Sequence, residues 1–208
     1  MRHLVTELGE PSIASELAAA PCDCGLAWTA PTVAQPHLQS IIAFTFGNRM
    51  LPNGNRAPGP VNEQLADAAA LLHGVSGGRI FAQWETAEAI GSRVPAEAVT
   101  AIYPAQDERV EPVYFSTSGV VAQIARQWNP AALGTVGVVA SADHLFRCVE
   151  TLRRPGFAAP GPEGMVMPRE YDPLSGQPWC RSRLAYLLHD VMLRVTQRRE
   201  AELASGPT

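Results

Sequence analysis

The chain contains no lysine: all 16 of its basic residues are arginine. A Schiff base with pyridoxal phosphate or a carbonyl substrate needs a lysine amine, and a Walker-type loop needs one on its phosphates, so both classes are excluded. Cysteine is scarce, and four in 208 residues do not make a disulfide framework; in a reducing cytoplasm they stay as thiols. Cys22 and Cys24 form a Cys-x-Cys, but a metal there would need two further ligands and only His37 lies near in sequence. Ordinary buried or half-exposed thiols are the simpler reading. No apolar run approaches the roughly 18 residues of a membrane span, and no basic segment leads into a hydrophobic one near the N-terminus, so neither a span nor a secretion signal is expected. With a formal charge of -4 and a pI of about 5.7, the chain lacks the basic stripe of a nucleic-acid binder and has little attraction for an anionic membrane surface. A cytoplasmic protein with a small-molecule ligand is what these absences leave. No Gly-x-Gly-x-x-Gly follows the first predicted strand, which disfavours a dinucleotide site. No Gly-x-Ser-x-Gly elbow and no His-rich or Asp-rich cluster points to a serine hydrolase or a catalytic metal.

What is present is 46% hydrophobic residues, enough for one good-sized core. The most informative stretch runs from Thr135 to Leu152. Its first part, Thr135–Ala140, is largely β-branched and apolar and fits a buried strand. It passes without a spacer into Leu145, Cys148, Val149 and Leu152, which have helical spacing. Ser141 stands at the junction as the expected N-cap, its hydroxyl accepting from free amides of a first turn that also attracts anions. His144 and Arg147 then fall one turn apart on the same side.

The remaining pattern repeats strand and helix. Residues 1–39 read as an N-terminal arm with a short amphipathic helix at Ile13–Ala20, interrupted by Pro21, Pro31 and Pro36. Ser40–Phe46 is a strand, followed by a Gly47-Asn48-Arg49 turn and a breaker-rich loop reaching Pro60. A helix is expected over Val61–His73 with Asn62 as cap, a strand over Gly78–Gln83, and a helix from Trp84. A strand over Val99–Tyr103 precedes an acidic connection at residues 106–112. A helix over Tyr114–Trp128 follows, opened by Ser116, Thr117 and Ser118. Met165–Met167 reads as a short fifth strand, and a helix runs through Leu184, Tyr186, Leu187, Val191 and Leu193 before the polar tail 198–208. The expected fold is therefore α/β: a three-layer Rossmann-like domain over 40–197, with a parallel sheet and helices on both faces. Ligands in such sheets sit beyond the carboxyl ends of the strands. That rule collects Gly47, Asn48, Arg49, Trp84, Glu85, Tyr103, Ser141, His144 and Arg147 along one rim, and Ser116 joins them as a candidate ligand contact.

Four of these places carry a resemblance. Phe46-Gly47-Asn48-Arg49, Glu85-Thr86-Ala87, Ser116-Thr117-Ser118 and Ala140-Ser141-Ala142-Asp143-His144-Leu145-Phe146-Arg147 follow the order of features in the SanA/ElyC/YdcF family of Rossmann-like bacterial proteins, which this chain resembles over roughly residues 40–195. The last match, to a Thr-Ser-x-x-His-x-x-Arg segment, is the specific one. The chain departs from the family in having Ala82-Gln83-Trp84 where Ser-Gly-Gly is usual and Val113-Tyr114-Phe115 ahead of the hydroxyl cluster, and the family's membrane tether is not expected here. The resemblance implies a YdcF-like Rossmann domain whose ligand is nucleotide-like, with S-adenosylmethionine as a candidate cofactor, and a soluble divergent member suits specialised small-molecule biosynthesis.

Each rim residue has a chemical and a plain structural reading. Arg147 disfavours a second positive charge on His144, which keeps the imidazole able to accept a proton, while a local hydrogen bond is the alternative. The forked donors of Arg147 suit phosphate or carboxylate, against an intrahelical pair with Asp143. Glu85 complements a helix start whether or not it does chemistry; with His144 it would supply a catalytic acid and base. Arg49 is read as a second anion contact or a surface arginine, Ser116 as a cap, and Trp84 and Tyr103 as stacking surfaces or core edge. The resulting expectation is a metal-independent enzyme acting by acid/base chemistry on a small anionic or nucleoside-like molecule. The other is a non-catalytic binder of S-adenosylmethionine or a phosphorylated metabolite, acting as sensor or partner.

Overall fold

A computed structural model describes residues 2–21, 28–104 and 115–204; Cys22, Cys24 and the connection 106–112 lie outside the described residues. The chain divides into two units, Met1–Thr29 with Leu187–Thr208, and Ala30–Tyr186. The first unit holds helices α1 (Arg2–Leu8) and α2 (Pro11–Pro21), joined at Gly9, whose φ of 69° suits a residue without a Cβ. Proline at the start of α2 forfeits only an amide that has no intrahelical partner. No described helix is long and apolar enough to cross a membrane.

The second unit contains, in order, β1 (Thr32–Val33), β2 (Ser40–Ala43), β3 (Arg49–Met50), β4 (Arg56–Ala57), α3 (Pro60–Ser76), β5 (Arg79–Gln83), α4 (Trp84–Ile90), β6 (Val99–Ile102), α5 (Thr117–Gln127), β7 (Val136–Val139), α6 (Leu145–Arg153), β8 (Gly161–Pro162) and the first turn of α7 (Arg183–Ala204). Four strands form a parallel sheet in the order β6-β5-β2-β7. In register, Ile41 of β2 lies between Ile80 of β5 and Gly137 of β7. Helices α3 and α4 pack together on one face, α5 and α6 on the other, which makes the three-layer Rossmann-like architecture expected from the alternation of elements.

Period-two alternation divides the strand side chains between these layers. Ile41, Ala43, Ile80, Ala82 and Val139 share one core with Leu65, Ala69 and Leu72 of α3 and Ile90 of α4. On the opposite face Phe81 meets Trp128, which ends α5, edge to face at 4.9 Å. Fully buried strands on both faces explain why the apolar runs of β2 and β7 are nearly continuous rather than alternating.

Several local expectations are corrected. Asn62 lies inside α3, not at its cap: Gly59 (φ 78°) precedes the helix and proline occupies its first turn. The buried Asn62 amide instead accepts from Phe46 N (2.9 Å) and donates to Gly47 O (2.8 Å) and to Pro58 O, fastening the end of β2 to the helix. The stretch between Arg49 and Pro60 is not featureless, because β3 and β4 pair there as an antiparallel hairpin. Residues 165–167 form no strand; the extended pairing falls earlier, where Gly161 and Pro162 lie parallel to Thr32 and Val33.

Gly137 is closely packed on the α3 side of the sheet. A Cβ there would stand 2.7 Å from Leu38 Cδ1 and 3.1 Å from Leu72 Cδ2, and both leucines are buried, so neither has space to retreat. Gly137→Ala is expected to lower unfolding free energy by about 1–3 kcal/mol, the usual range for overpacking, measured by urea denaturation of the purified chain.

Candidate functional site

Strand β5 runs into α4 with no intervening residue, so Gln83, Trp84 and Glu85 all stand at the carboxyl end of the sheet. Glu85 is 2% exposed. Asn48 Nδ2 donates to its Oε1 at 3.3 Å, while Oε2 has no hydrogen-bond partner among the described residues. Burial pushes the Glu85 carboxyl above its ordinary range, partly opposed by its own backbone amide, by Asn48 and Thr45, and by the charge of Arg56. The neighbouring amide of Gln83 bridges two elements, accepting from Thr45 N (3.3 Å) and donating to Phe115 O (3.4 Å).

These groups border a cavity of about 390 Å³ walled by Trp84, Tyr103 and Phe115, with Gln83, Glu85, Arg56 and Gln177 as its polar lining. Its size lies near the lower end of the range for small-molecule sites, about 300–1,000 Å³, and a few polar groups among apolar walls is the usual composition of such sites. Tyr103 is 60% exposed at its mouth.

The Gly47-Asn48-Arg49 turn is held from outside the sheet by residues 172–177. Gly47 has φ 74°, and a Cβ there would fall 2.6 Å from Ser175 Oγ, so only glycine permits the approach. Asn48 O accepts from Gly176 N at 2.6 Å. Arg49 grips Asp172 with two donors, Nε to Oδ2 at 2.7 Å and Nη2 to Oδ1 at 3.1 Å, holding the Asp172 carboxyl below its ordinary value. The guanidinium expected to face an anionic ligand is thus engaged by a carboxylate of the chain itself.

The other expected residues gather further along the rim. Helix α6 begins at Leu145 with His144 as the residue before it, so Ser141 is not its cap. The backbone makes a turn first, with His144 N donating to Ser141 O (2.8 Å) and Ala142 N to Pro168 O (2.8 Å). This moves the free amides of α6 beyond the reach of the fully buried Ser141 hydroxyl, which has no hydrogen-bond partner among the described residues.

His144 is 4% exposed. Its Nδ1 lies 2.7 Å from Tyr186 Oη and its Nε2 3.3 Å from Thr117 Oγ1. Arg147 donates to the same two hydroxyls, at 3.2 and 3.4 Å respectively. Asp143, the alternative partner for Arg147, is occupied by both Arg183 (2.9 and 3.1 Å) and Tyr171 (2.8 Å). Phe46 closes the group, with ring centroids 4.8 Å from Tyr186, 5.4 Å from Tyr171 and 6.2 Å from His144. Ser116 caps α5 by accepting from Gly119 N at 3.1 Å. Cys180, also buried, has its thiol pushed up to about 12 by burial, which keeps it protonated and unreactive.

The structure therefore sorts the expected rim into two groups. Gly47, Asn48, Glu85, Trp84 and Tyr103 surround the carboxyl ends of β2, β5 and β6, and the last three line the cavity. His144, Arg147 and Ser141 follow β7, where Tyr186, which sequence reading assigned only to an apolar helix face, supplies the central hydroxyl. Arg56, Phe115 and Gln177 were not anticipated as lining; Arg56 had a signal, as a cation inside a breaker-rich loop following a strand. No group of three or more metal-ligating side chains is placed to hold an ion among the described residues.

Two outcomes are expected. Tyr186→Phe removes the oxygen shared by His144 and Arg147 and leaves buried donors short of a partner, lowering unfolding free energy by about 1–3 kcal/mol in urea. Glu85→Gln moves stability the other way. Because the carboxyl binds its proton more tightly in the folded state than at the ordinary value of 4.5, ionised Glu85 subtracts stability, and the deficit grows as pH rises from that value through the higher folded one. The variant should melt above wild type at pH 7.5. The gap should close as pH is lowered towards 4. No family model, curated protein or solved structure matches this chain.

Proposed function

We propose that the chain is a metal-independent enzyme acting by acid/base chemistry on a small anionic or nucleoside-like molecule, bound in the cavity beyond β5 and β6 with Glu85 as the proton-transfer group. One observation carries this reading: a buried carboxyl with a raised proton affinity and one oxygen without a hydrogen-bond partner borders a metabolite-sized cavity with aromatic walls. A carboxyl tuned upward by burial both takes and gives a proton closer to neutral pH than an exposed one, which is what general acid/base catalysis requires. Asn48 supports the role by fixing Oε1. His144 enters as a positioning residue: with both ring nitrogens at hydroxyls, it holds α5, α6 and the start of α7 around the end of the sheet. The resemblance to the SanA/ElyC/YdcF family adds S-adenosylmethionine to the candidate ligands.

A non-catalytic binder or sensor is the second reading, favoured because His144 is hydrogen-bonded to Tyr186 and Thr117 and is not among the residues lining the cavity that Glu85 borders. Thermal-shift screening against nucleosides, nucleotides, S-adenosylmethionine and sugar phosphates identifies the ligand, and mass spectrometry of the incubated mixture reads turnover. The enzyme reading expects product with wild type, and in Glu85→Gln a loss of turnover of about 100-fold or more with ligand stabilisation retained. Stabilisation without product in wild type establishes the binder instead, and turnover untouched in Glu85→Gln removes Glu85 from the chemistry.

A further inference from the structure

The arginines expected to meet an anion are engaged elsewhere: Arg49 with Asp172 and Arg147 with Thr117 and Tyr186. Arg93 and Arg183 likewise hold carboxylates. The cavity nevertheless has a cation. Arg56 sits on β4, half-buried, and lines the cavity together with Gly54 and Asn55 from the tip of the same hairpin. Unlike Arg49, Arg93 and Arg183, Arg56 has no ion pair with a carboxylate among the described residues.

The hairpin that presents Arg56 is braced at both ends. At its tip Leu51 N donates to Asn55 O (2.8 Å) and Gly54 N to Leu51 O (2.9 Å). Across it Met50 pairs with Arg56. At its base Arg49 is bound to Asp172 and bridged to Ser175. The guanidinium is thus carried on an anchored arm, not a loose loop, and faces a cavity whose other walls are the aromatic rings of Trp84, Tyr103 and Phe115. Flat aromatic walls favour a planar ring by stacking, and a half-buried guanidinium fork favours a carboxylate or phosphate.

We propose that Arg56 is the anion-binding and specificity-determining residue of this cavity, and that the ligand class is a planar aromatic ring carrying one anionic group, the ring against Trp84 and Tyr103 and the anion on Arg56. The proposal rests on the cavity identified above as the ligand site, but not on Glu85 transferring a proton. Both parts of the ligand are needed: the ring supplies contact area, and the anion supplies charge-assisted hydrogen bonds that a neutral analogue leaves unmade.

The test uses adenosine 5′-monophosphate, adenosine and ribose 5-phosphate as probes with the full chain, by isothermal titration at low salt. Wild type should bind the monophosphate about tenfold or more tightly than either adenosine or ribose 5-phosphate, the range expected for charge-assisted hydrogen bonds. Arg56→Met, which keeps the apolar stem, should bring the monophosphate down to the affinity of adenosine while leaving adenosine unchanged. Arg56→Lys should fall between, because it keeps charge but loses the fork. Trp84→Ala should weaken the monophosphate and adenosine alike. A monophosphate preference that persists in a folded Arg56→Met overturns the assignment of Arg56, and ribose 5-phosphate binding as well as the nucleotide overturns the aromatic half. Failure of wild type to bind the monophosphate overturns the ligand class. Turnover untouched in Glu85→Gln, or no product with wild type, alongside intact binding ratios removes the acid/base reading and leaves the Arg56 assignment standing, so the two readings fail separately.

Discussion

Asn48 is where the two sides of the rim are joined. Its carbonyl accepts from Gly176 N at 2.6 Å, and from Ser175 Oγ at 3.4 Å across a sequence separation of 127 positions, while its side chain donates to Glu85. A missing Cβ on both sides makes room for this backbone approach. One at Gly47 would meet Ser175 Oγ at 2.6 Å, and one at Gly176 would meet Asn48 Oδ1 at 3.0 Å. Everything that shapes the cavity on this side follows from that closure. Gln177 is delivered to the lining, Arg49 and Asp172 are brought into a two-donor pair at the hairpin base, and the Glu85 carboxyl is kept from water.

Burial of that carboxyl works against folding and for chemistry. An ionised group removed from solvent is destabilising unless fully paired, and Glu85 is paired on one oxygen by Asn48. Local instability of this kind tends to be stored at sites that use it. The buried group around His144 is the opposite case. There two hydroxyls, from Thr117 and Tyr186, each serve both His144 and Arg147, so a cationic side chain is accommodated in the interior by satisfied hydrogen bonds and surrounding rings.

The legible part of the sequence was whatever depends on near neighbours. The β-branched run at Val136–Val139 and the apolar spacing of Leu145, Cys148, Val149 and Leu152 produced β7 and α6 as expected, and alternation of strand and helix was enough for the parallel three-layer fold. Helix starts were less legible. Ser141 and Asn62 have cap chemistry, but a backbone turn tied to Pro168 displaced the first, and the packing of β2 against α3 drew the second inside. Charge assignments were the least legible, because an arginine's partner is a matter of the tertiary fold. Arg49 finds Asp172 at a separation of 123 and Arg147 finds Tyr186 at 39, distances over which periodicity carries no information. Arg56, a short hairpin's cation, gave only a positional hint.

The strand order explains why the cavity lies where it does. In the sequence β6-β5-β2-β7 the chain builds outward from β2 to β6 and then crosses to the other side of β2, so the helices following β2 and β7 diverge onto opposite faces. An open crevice is expected between the carboxyl ends of those two strands, and it is the usual ligand position in such folds. Here it is filled from within. His144 packs against Phe44 at 6.3 Å and Phe46 at 6.2 Å, and Tyr186 closes on Phe46 at 4.8 Å. Displacing several buried aromatic rings would cost a ligand more than most small molecules recover by contact. The accessible concavity is consequently one strand over, beyond β5 and β6, where the following helix α4 is only 7 residues long. So short a helix offers little macrodipole to an anion. Filling the switch-point crevice therefore changes how negative charge has to be met, from helix amides to a side chain brought in by a neighbouring arm, and the β3–β4 hairpin provides that side chain in Arg56.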